Sequence, residues 1–280
     1  MAVSGLKVLR AIVKALRAYE ISTAVTLSPN MYDAFPMQDI LTDRVQIASP
    51  ELVAEDAEIF ADETSEIIIE EGVEVSSDVV ILASDHSTIR IGKDTFLDKR
   101  AHVFADEASE LVMGTECVVG NHTSMDSSEN SSMILGDRVH VDSRNIMGAS
   151  EQGVLFLGEE TTIGENGWFS ATAGGEIHLG NDNMLSLFIK MAVGNHELLE
   201  QKTGMLLTNR AAIHTEDHVW IGIGSTLLPG THLGESSVVG ASSVVTKAFP
   251  PHCTIAGNPA RVLREGISWQ REAMNHGTGV

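Results

Sequence analysis

Aliphatic residues recur along this chain on a fixed beat. The pairs Ile91-Gly92, Met113-Gly114, Leu135-Gly136, Leu157-Gly158 and Leu179-Gly180 follow one another at intervals of 22 residues. Ile69-Glu70 keeps the interval with the glycine replaced, and Ile47-Ala48 reads as a degenerate first copy. Each copy divides into three six-residue units and a four-residue extension, as in "LGEETT IGENGW FSATAGGEIH". Leu157, Ile163 and Phe169 lead the units, and the small residues Thr161, Gly167 and Ala173 take the fifth position. That order predicts a short strand, a sharp corner and another short strand. The aliphatic residue points inward, and the corner residue either takes a positive φ or lacks bulk. The extensions "DHST", "SENS", "SEQG" and "AGGE" have turn composition and predict a small turn projecting at one corner of each coil.

Beyond residue 214 the rule continues without the extension, in "TEDHVW IGIGST LLPGTH LGESSV VGASSV VTKAFP". Three units close one triangular coil of 18 residues, which predicts a parallel β-solenoid whose stacked coils pair along the axis. A sandwich or propeller would require longer alternating strands joined by Asn-Gly hairpins, and the chain has neither pattern. Between the two regimes, the stretch "KMAVGNHELLEQKTGMLLTNRAAIHTEDHVWIG" (190–222) breaks the repeat. The predicted organisation is an N-terminal helix and linker (1–45), a β-helix domain (46–264) with a loop at 197–212, and a tail (265–280).

Composition agrees with a narrow prism: 43% of residues are hydrophobic but only 5% aromatic. The net charge of −21 argues against a nucleic-acid surface, which needs clustered cations. Cys117 and Cys253 do not make a disulfide framework and read as small buried thiols in a reducing, cytoplasmic setting. No apolar run is long enough to span a bilayer, and the first residues lack a signal-peptide pattern. Residues 1–20 depart from the acidic background, with Lys7, Arg10, Lys14 and Arg17 against Glu20. The cations lie opposite Leu6, Leu9, Val13 and Leu16, giving an amphipathic helix with a basic face. It either packs across the end of the domain or makes peripheral contact with an anionic membrane at its inner face.

The segments "DHVWIGIGSTLLPG", "VVGASSVVTKAFPP" and "AGNPARVLRE" resemble the C-terminal pattern of the hexapeptide-repeat acyltransferases. The wide repeats, with the "TG" at 203–204, resemble the branch that O-acetylates polysaccharides and their sugar precursors. The resemblance implies an all-β, left-handed parallel β-helix and a homotrimer. It also implies acetyl transfer from acetyl-CoA to a sugar hydroxyl in capsule, exopolysaccharide or lipopolysaccharide. Such a transfer needs a base for the hydroxyl proton and donors for the oxyanion.

By resemblance the base is His196, at the edge of the interruption, and Trp220 of "VWIG" borders the acceptor and thioester site. Family members commonly carry Asp two residues before this histidine, where this chain has Gly194. The orienting carboxylate comes from elsewhere, such as Glu197 or Glu200, or is absent and a neutral partner such as a backbone carbonyl fixes the tautomer. The pantetheine arm of acetyl-CoA is expected along a corner formed by Gly222, Ile223, Gly224, Ala241 and Ser242. Thr246, Lys247, Arg261 and Arg264 are expected to meet its phosphates. The apolar loop residues Leu198, Leu199, Met205, Leu206 and Leu207 suit packing on another subunit. His86 falls in the same repeat column as His196 but precedes no interruption.

A zinc cluster of His196, His214 and His218 is conceivable, as in gamma-type carbonic anhydrases. However, a four-residue separation on a strand coil turns two side chains apart, so no metal is expected. The alternative to an enzyme is a degenerate β-helix scaffold, suggested by the missing Asp and by irregular units such as "MDSSEN". No glycine-rich phosphate loop precedes the coils to support a nucleotidyltransferase.

Overall fold

The computed structural model describes residues 44–194, 198–204, 206–207 and 212–271. The expected N-terminal helix lies outside them. The described chain is an all-β prism whose three faces, A, B and C, hold ten, ten and nine strands. Successive coils pair in parallel, residue on residue, so Ile91 lies beside Met113 and Leu135 beside Leu157. It is a parallel β-helix of the left-handed kind. Among the described residues no helix is long and apolar enough to cross a membrane.

The core is a set of columns, each repeating one position of the sequence period. Ile67, Ile89, Leu111, Met133, Leu155 and Ile177 form one on face A, all fully buried. Leu97, Val119, Val141 and Ile163 form another on face B. The unit "MDSSEN" is regular in space: Met125 and Ser127 both point inward, and Ser127 shares a column with Ala105 and Ala149. The corners carry buried polar ladders. Ser65, Ser87, Ser109 and Ser131 each accept a hydrogen bond from the backbone N–H one coil on, at 3.0–3.1 Å. These hydroxyls satisfy donors that water cannot reach. Cys117 and Cys253 are free and buried, and burial pushes the Cys117 thiol up to about 11.

Of the two alternatives for the corners, the glycines follow the second, and the expectation for the extensions needs correction. The repeating glycines do not supply the positive φ. Asp94, Glu116, Arg138, Glu160, Asp182 and His218 do so, two residues further on, at φ 51–60°. The glycines are small because coil stacks on coil: a Cβ on Gly92 would meet the Gly114 carbonyl oxygen at 2.4 Å. The extensions do form a turn at one corner of each coil, but their added length goes into the strands. The third corner is a tight turn with two successive left-handed residues, such as Glu151 and Gln152. The four extra residues lengthen the strands of faces A and C instead, to four residues as in Val154–Leu157 and Trp168–Ala171, while face B keeps two-residue strands such as Thr162–Ile163. The early coils are therefore wide and the later ones narrow.

Candidate active site

Where wide coils give way to narrow ones, the prism has a step. Lys190–Val193 pairs along its full length with Trp168–Ala171 of the coil before. With the coil after, only Lys190 and Met191 pair, to Thr226 and Leu227. Val193 and Gly194 thus stand on a ledge where the ladder has ended, and the interruption leaves from it. Within the loop, Leu198–Leu199 and Leu206–Leu207 form a short antiparallel hairpin. The Gly204 N–H donates to the Glu200 carbonyl at 2.8 Å. His196 and Glu197 lie outside the described residues.

Gly194 itself explains the missing carboxylate. Its φ is +76°, and a Cβ there would sit 1.7 Å from the Thr172 carbonyl oxygen. This backbone has no place for an Asp two residues before His196.

Trp220 projects from face B, half-buried, with its indole N–H directed at Ser186 Oγ, 3.4 Å away. Above it lies a strap that sequence reasoning did not foresee. After the last strand, Ala260–Glu265, the chain folds back along the prism, so that Trp269 stacks flat on the His218 ring at 4.1 Å. Trp269 is 8% exposed and its ring lies 6.0 Å from that of Trp220. Its indole N–H donates to the His218 carbonyl at 2.7 Å.

The imidazole of His218 has oxygen on both sides, Asp182 Oδ2 at 2.5 Å and the Trp269 carbonyl at 3.0 Å. Both contacts are satisfied only when both ring nitrogens carry protons. Burial works against that cation, but the Trp269 carbonyl and the Asp182 carboxylate outweigh it and hold the pKa above the ordinary imidazole value. Burial likewise opposes ionisation of Asp182, and hydrogen bonds from Arg271 and His218 overcome it, lowering the carboxyl. Arg271 secures the strap further through the Glu160 and Asn183 carbonyls, at 2.8 and 3.0 Å. The sequence signal was available: Asp182 and His218 share a corner column across the interruption.

The corner between faces B and C assembles five of the expected cofactor residues. Gly222, Ile223 and Gly224 form it in one coil, and Ala241 and Ser242 in the next. Ser242 N–H donates to the Ile223 carbonyl at 2.8 Å, and Gly224 N–H to that of Leu187 at 2.9 Å. Gly222 is small for the neighbouring coil rather than for a ligand, since a Cβ would meet Ala241 N at 2.7 Å. Leu187, Phe188 and Ile223 leave an exposed apolar edge along this corner, Ile223 at 44%. The cations sit on two elements. Lys247 follows Thr246 at the corner between C and A, its ammonium 5.4 Å from the Phe249 ring centre. Arg261 and Arg264 are exposed on the closing strand, which pairs antiparallel with Cys253–Gly257.

The histidines part as the strand geometry requires. His214 projects from face A towards His178 and His232, whereas His218 turns into its corner. Burial, then the neighbouring His178 and His232, hold the His214 pKa below the ordinary imidazole value. Among the described residues no group of three or more His, Cys, Asp or Glu side chains is placed to hold a metal ion.

These features define a hexapeptide-type left-handed β-helix with a stepped side and a clamped C-terminal strap. Comparison with known proteins bears out the resemblance to the acyltransferases built on this fold. The chain is 37% identical over 89 residues to a putative acetyltransferase of Schizosaccharomyces pombe, covering 32% of this chain and 43% of that protein. It is 33% identical over 91 residues to the galactoside O-acetyltransferase of Escherichia coli, covering 32% and 44%. The matched region thus spans less than half the length of either relative. Among solved structures it is similar to the polySia specific acetyltransferase NeuO, with TM-score 0.56 and 18% identity, over 77% of this chain and 93% of that one. That likeness is one of fold. No family model matches the chain.

Proposed function

We propose that this protein is an O-acetyltransferase that moves an acetyl group from acetyl-CoA to a hydroxyl of a sugar or polysaccharide. The observation that most supports this reading is its sequence similarity to acetyltransferases, one of them acting as a galactoside O-acetyltransferase. The step in the prism supports the reading: the ladder ends at Gly194, two residues before His196 in sequence, and strand pairing has resumed before Trp220.

In this mechanism His196 takes the proton of the acceptor hydroxyl as its oxygen attacks the thioester carbonyl. The tetrahedral oxyanion then collapses and expels the CoA thiolate. A Cβ at position 194 has no room, which suits an imidazole oriented by another group, such as Glu197, Glu200 or a backbone carbonyl. The exposed apolar edge at Leu187 and Ile223 suits the pantetheine arm, and Lys247, Arg261 and Arg264 are the cations offered to phosphate. A homotrimer would let a neighbouring prism close the open side of the step.

The test is to incubate purified protein with acetyl-CoA and a panel of carbohydrates, following CoA release and acceptor mass. Transfer is expected, and His196→Ala should lower kcat by about 100-fold or more. Failure to bind CoA at millimolar concentration would remove the proposal. Unchanged transfer by His196→Ala would move the base elsewhere.

A further inference from the structure

Face A carries an aromatic column that the acetyl-transfer reading does not use. Phe156, His178, His214 and His232 occupy equivalent outward positions in four successive coils. Phe156 stacks on His178 with ring centres 4.5 Å apart, His214 follows at 5.0 Å, and His232 at 4.7 Å from His214. At the end of the column two nitrogens approach each other: Nδ1 of His214 lies 3.3 Å from Nδ1 of His232.

That distance lets one Nδ1–H donate a long hydrogen bond to the other Nδ1 when no ion is present. It matches the chord between two ligands of a tetrahedral ion, since metal–nitrogen bonds of about 2.0–2.1 Å at about 109° place the nitrogens about 3.3–3.4 Å apart. The contact with Glu216 sets the tautomer of His232. Its Nε2 lies 3.1 Å from Glu216 Oε1, and a carboxylate accepts, so Nε2 carries the proton and Nδ1 keeps its lone pair. Glu216 is held in turn by the Glu235 N–H, which donates to Oε2 at 2.8 Å. A carboxylate that fixes a histidine through its far nitrogen is the usual outer support of a metal ligand. Beside the pair lies an open depression of about 400 Å³ bordered by His178, His214, Glu216, Asp217 and Glu235. Its carboxylates offer a negative surround for a cation.

We propose that His214 and His232 form a surface site for a divalent first-row transition-metal ion, with Glu216 as the positioning carboxylate. Two imidazoles supply the protein's share of the coordination, and water fills the remaining positions. Such ligands select copper, nickel or zinc over magnesium and calcium, which prefer oxygen. The pair differs from the His196, His214 and His218 grouping considered from sequence, and its second member comes from the next coil. An ion here ties Ile213–Thr215 to His232–Leu233, the first two face-A strands after the interruption. The site would therefore act as a staple on the narrow coils, independent of acetyl transfer.

The experiment titrates NiCl2 and ZnCl2 into chelator-stripped full-length protein at neutral pH, by calorimetry and thermal unfolding. One Ni2+ per chain is expected to bind with a Kd in the micromolar range, about 1–50 μM, and to raise Tm as any native-state ligand does. His214→Ala and His232→Ala should each weaken that binding by about tenfold or more, and Glu216→Gln by a smaller factor. A matched His140→Ala control should bind as wild type. In the wild-type protein, electron paramagnetic resonance with one equivalent of Cu2+ should show ligation by two nitrogens, which tests the site without any variant. The proposal is overturned if wild type binds no Ni2+ below millimolar concentration, if both histidine variants bind as wild type, or if the copper spectrum shows oxygen ligation alone.

Discussion

The wide and narrow coils of one prism obey the same inward rule but divide the molecule's work. The wide coils repeat with little variation in backbone: four-residue strands on two faces and buried serines at one corner. The narrow coils keep the aliphatic columns with shorter strands, and around them gather the unusual polar groups. These are the His214–His232 pair, Trp220, the His218 clamp and the exposed corner at Ile223. Changing coil width in mid-prism leaves a ledge, and a ledge is where a regular solenoid can bear an irregular loop. A prism of constant width would offer only flat faces.

The sharpest way to break this comparison is at the ledge itself. Gly194→Asp would introduce the carboxylate that the family resemblance implies, yet place a Cβ within 1.7 Å of a backbone oxygen. Left-handed strain and the clash together should cost about 3 kcal/mol or more. Urea denaturation measures it. A Gly194→Asp protein as stable as wild type would show that the ledge backbone is not the constraint argued above. Close behind is Phe169→Ala, which empties the largest side chain in the core of a wide coil. About 3–5 kcal/mol should be lost, because stacked coils hold the cavity open.

How much of this could be read beforehand follows from what a period can encode. The lead positions Leu157, Ile163 and Phe169 are all buried, so the prism and its core columns were legible. Composition cannot tell a residue at positive φ from one that is small for lack of space. The reason for the corner glycines therefore stays open between those two in the sequence, and only the projection expected of the four-residue extensions fails. The corner residues at 222–224 and 241–242 do come together, because a one-coil spacing brings equivalent positions together by construction. The strap was not legible. Trp269 and Arg271 lie after the repeat ends, and no period says which coil they return to. His196 lies outside the described residues, so its place rests on the resemblance.

A medium effect is expected at that strap, which bridges the two kinds of coil through Asp182 and His218. Trp269→Ala should cost about 1–3 kcal/mol and alter the fluorescence of Trp220. The pH dependence has a definite sign. His218 is held above its ordinary value, so its contribution is complete below about pH 6.5 and is lost as pH rises through the raised value. Asp182 is held below its ordinary value, so its contribution is present above about pH 3.9 and is lost as pH falls through the lowered value. Tryptophan fluorescence should therefore report a docked strap in mildly acidic solution and its release on the alkaline side. His218→Asn should flatten the alkaline limb. A limb that persists in that variant would assign it to another group.

The smallest effects sharpen the comparison inside the wide coils alone. Ser109 and Ser127 are both buried serines less than one wide coil apart in sequence, and they should respond differently. Ser109 Oγ accepts from the Ser131 N–H at 3.0 Å, so Ser109→Ala strands a buried donor and should cost about 1–2 kcal/mol. Ser127 Oγ is buried without a hydrogen-bond partner, in a column whose neighbours Ala105 and Ala149 are apolar. Removing that hydroxyl ends a desolvation penalty and loses no bond, so Ser127→Ala should be neutral or stabilise by about 1 kcal/mol. Paired denaturation curves read both. If Ser127→Ala destabilises as much as Ser109→Ala, the hydroxyl has a partner, and the inner column of face C is a second polar ladder rather than an apolar wall.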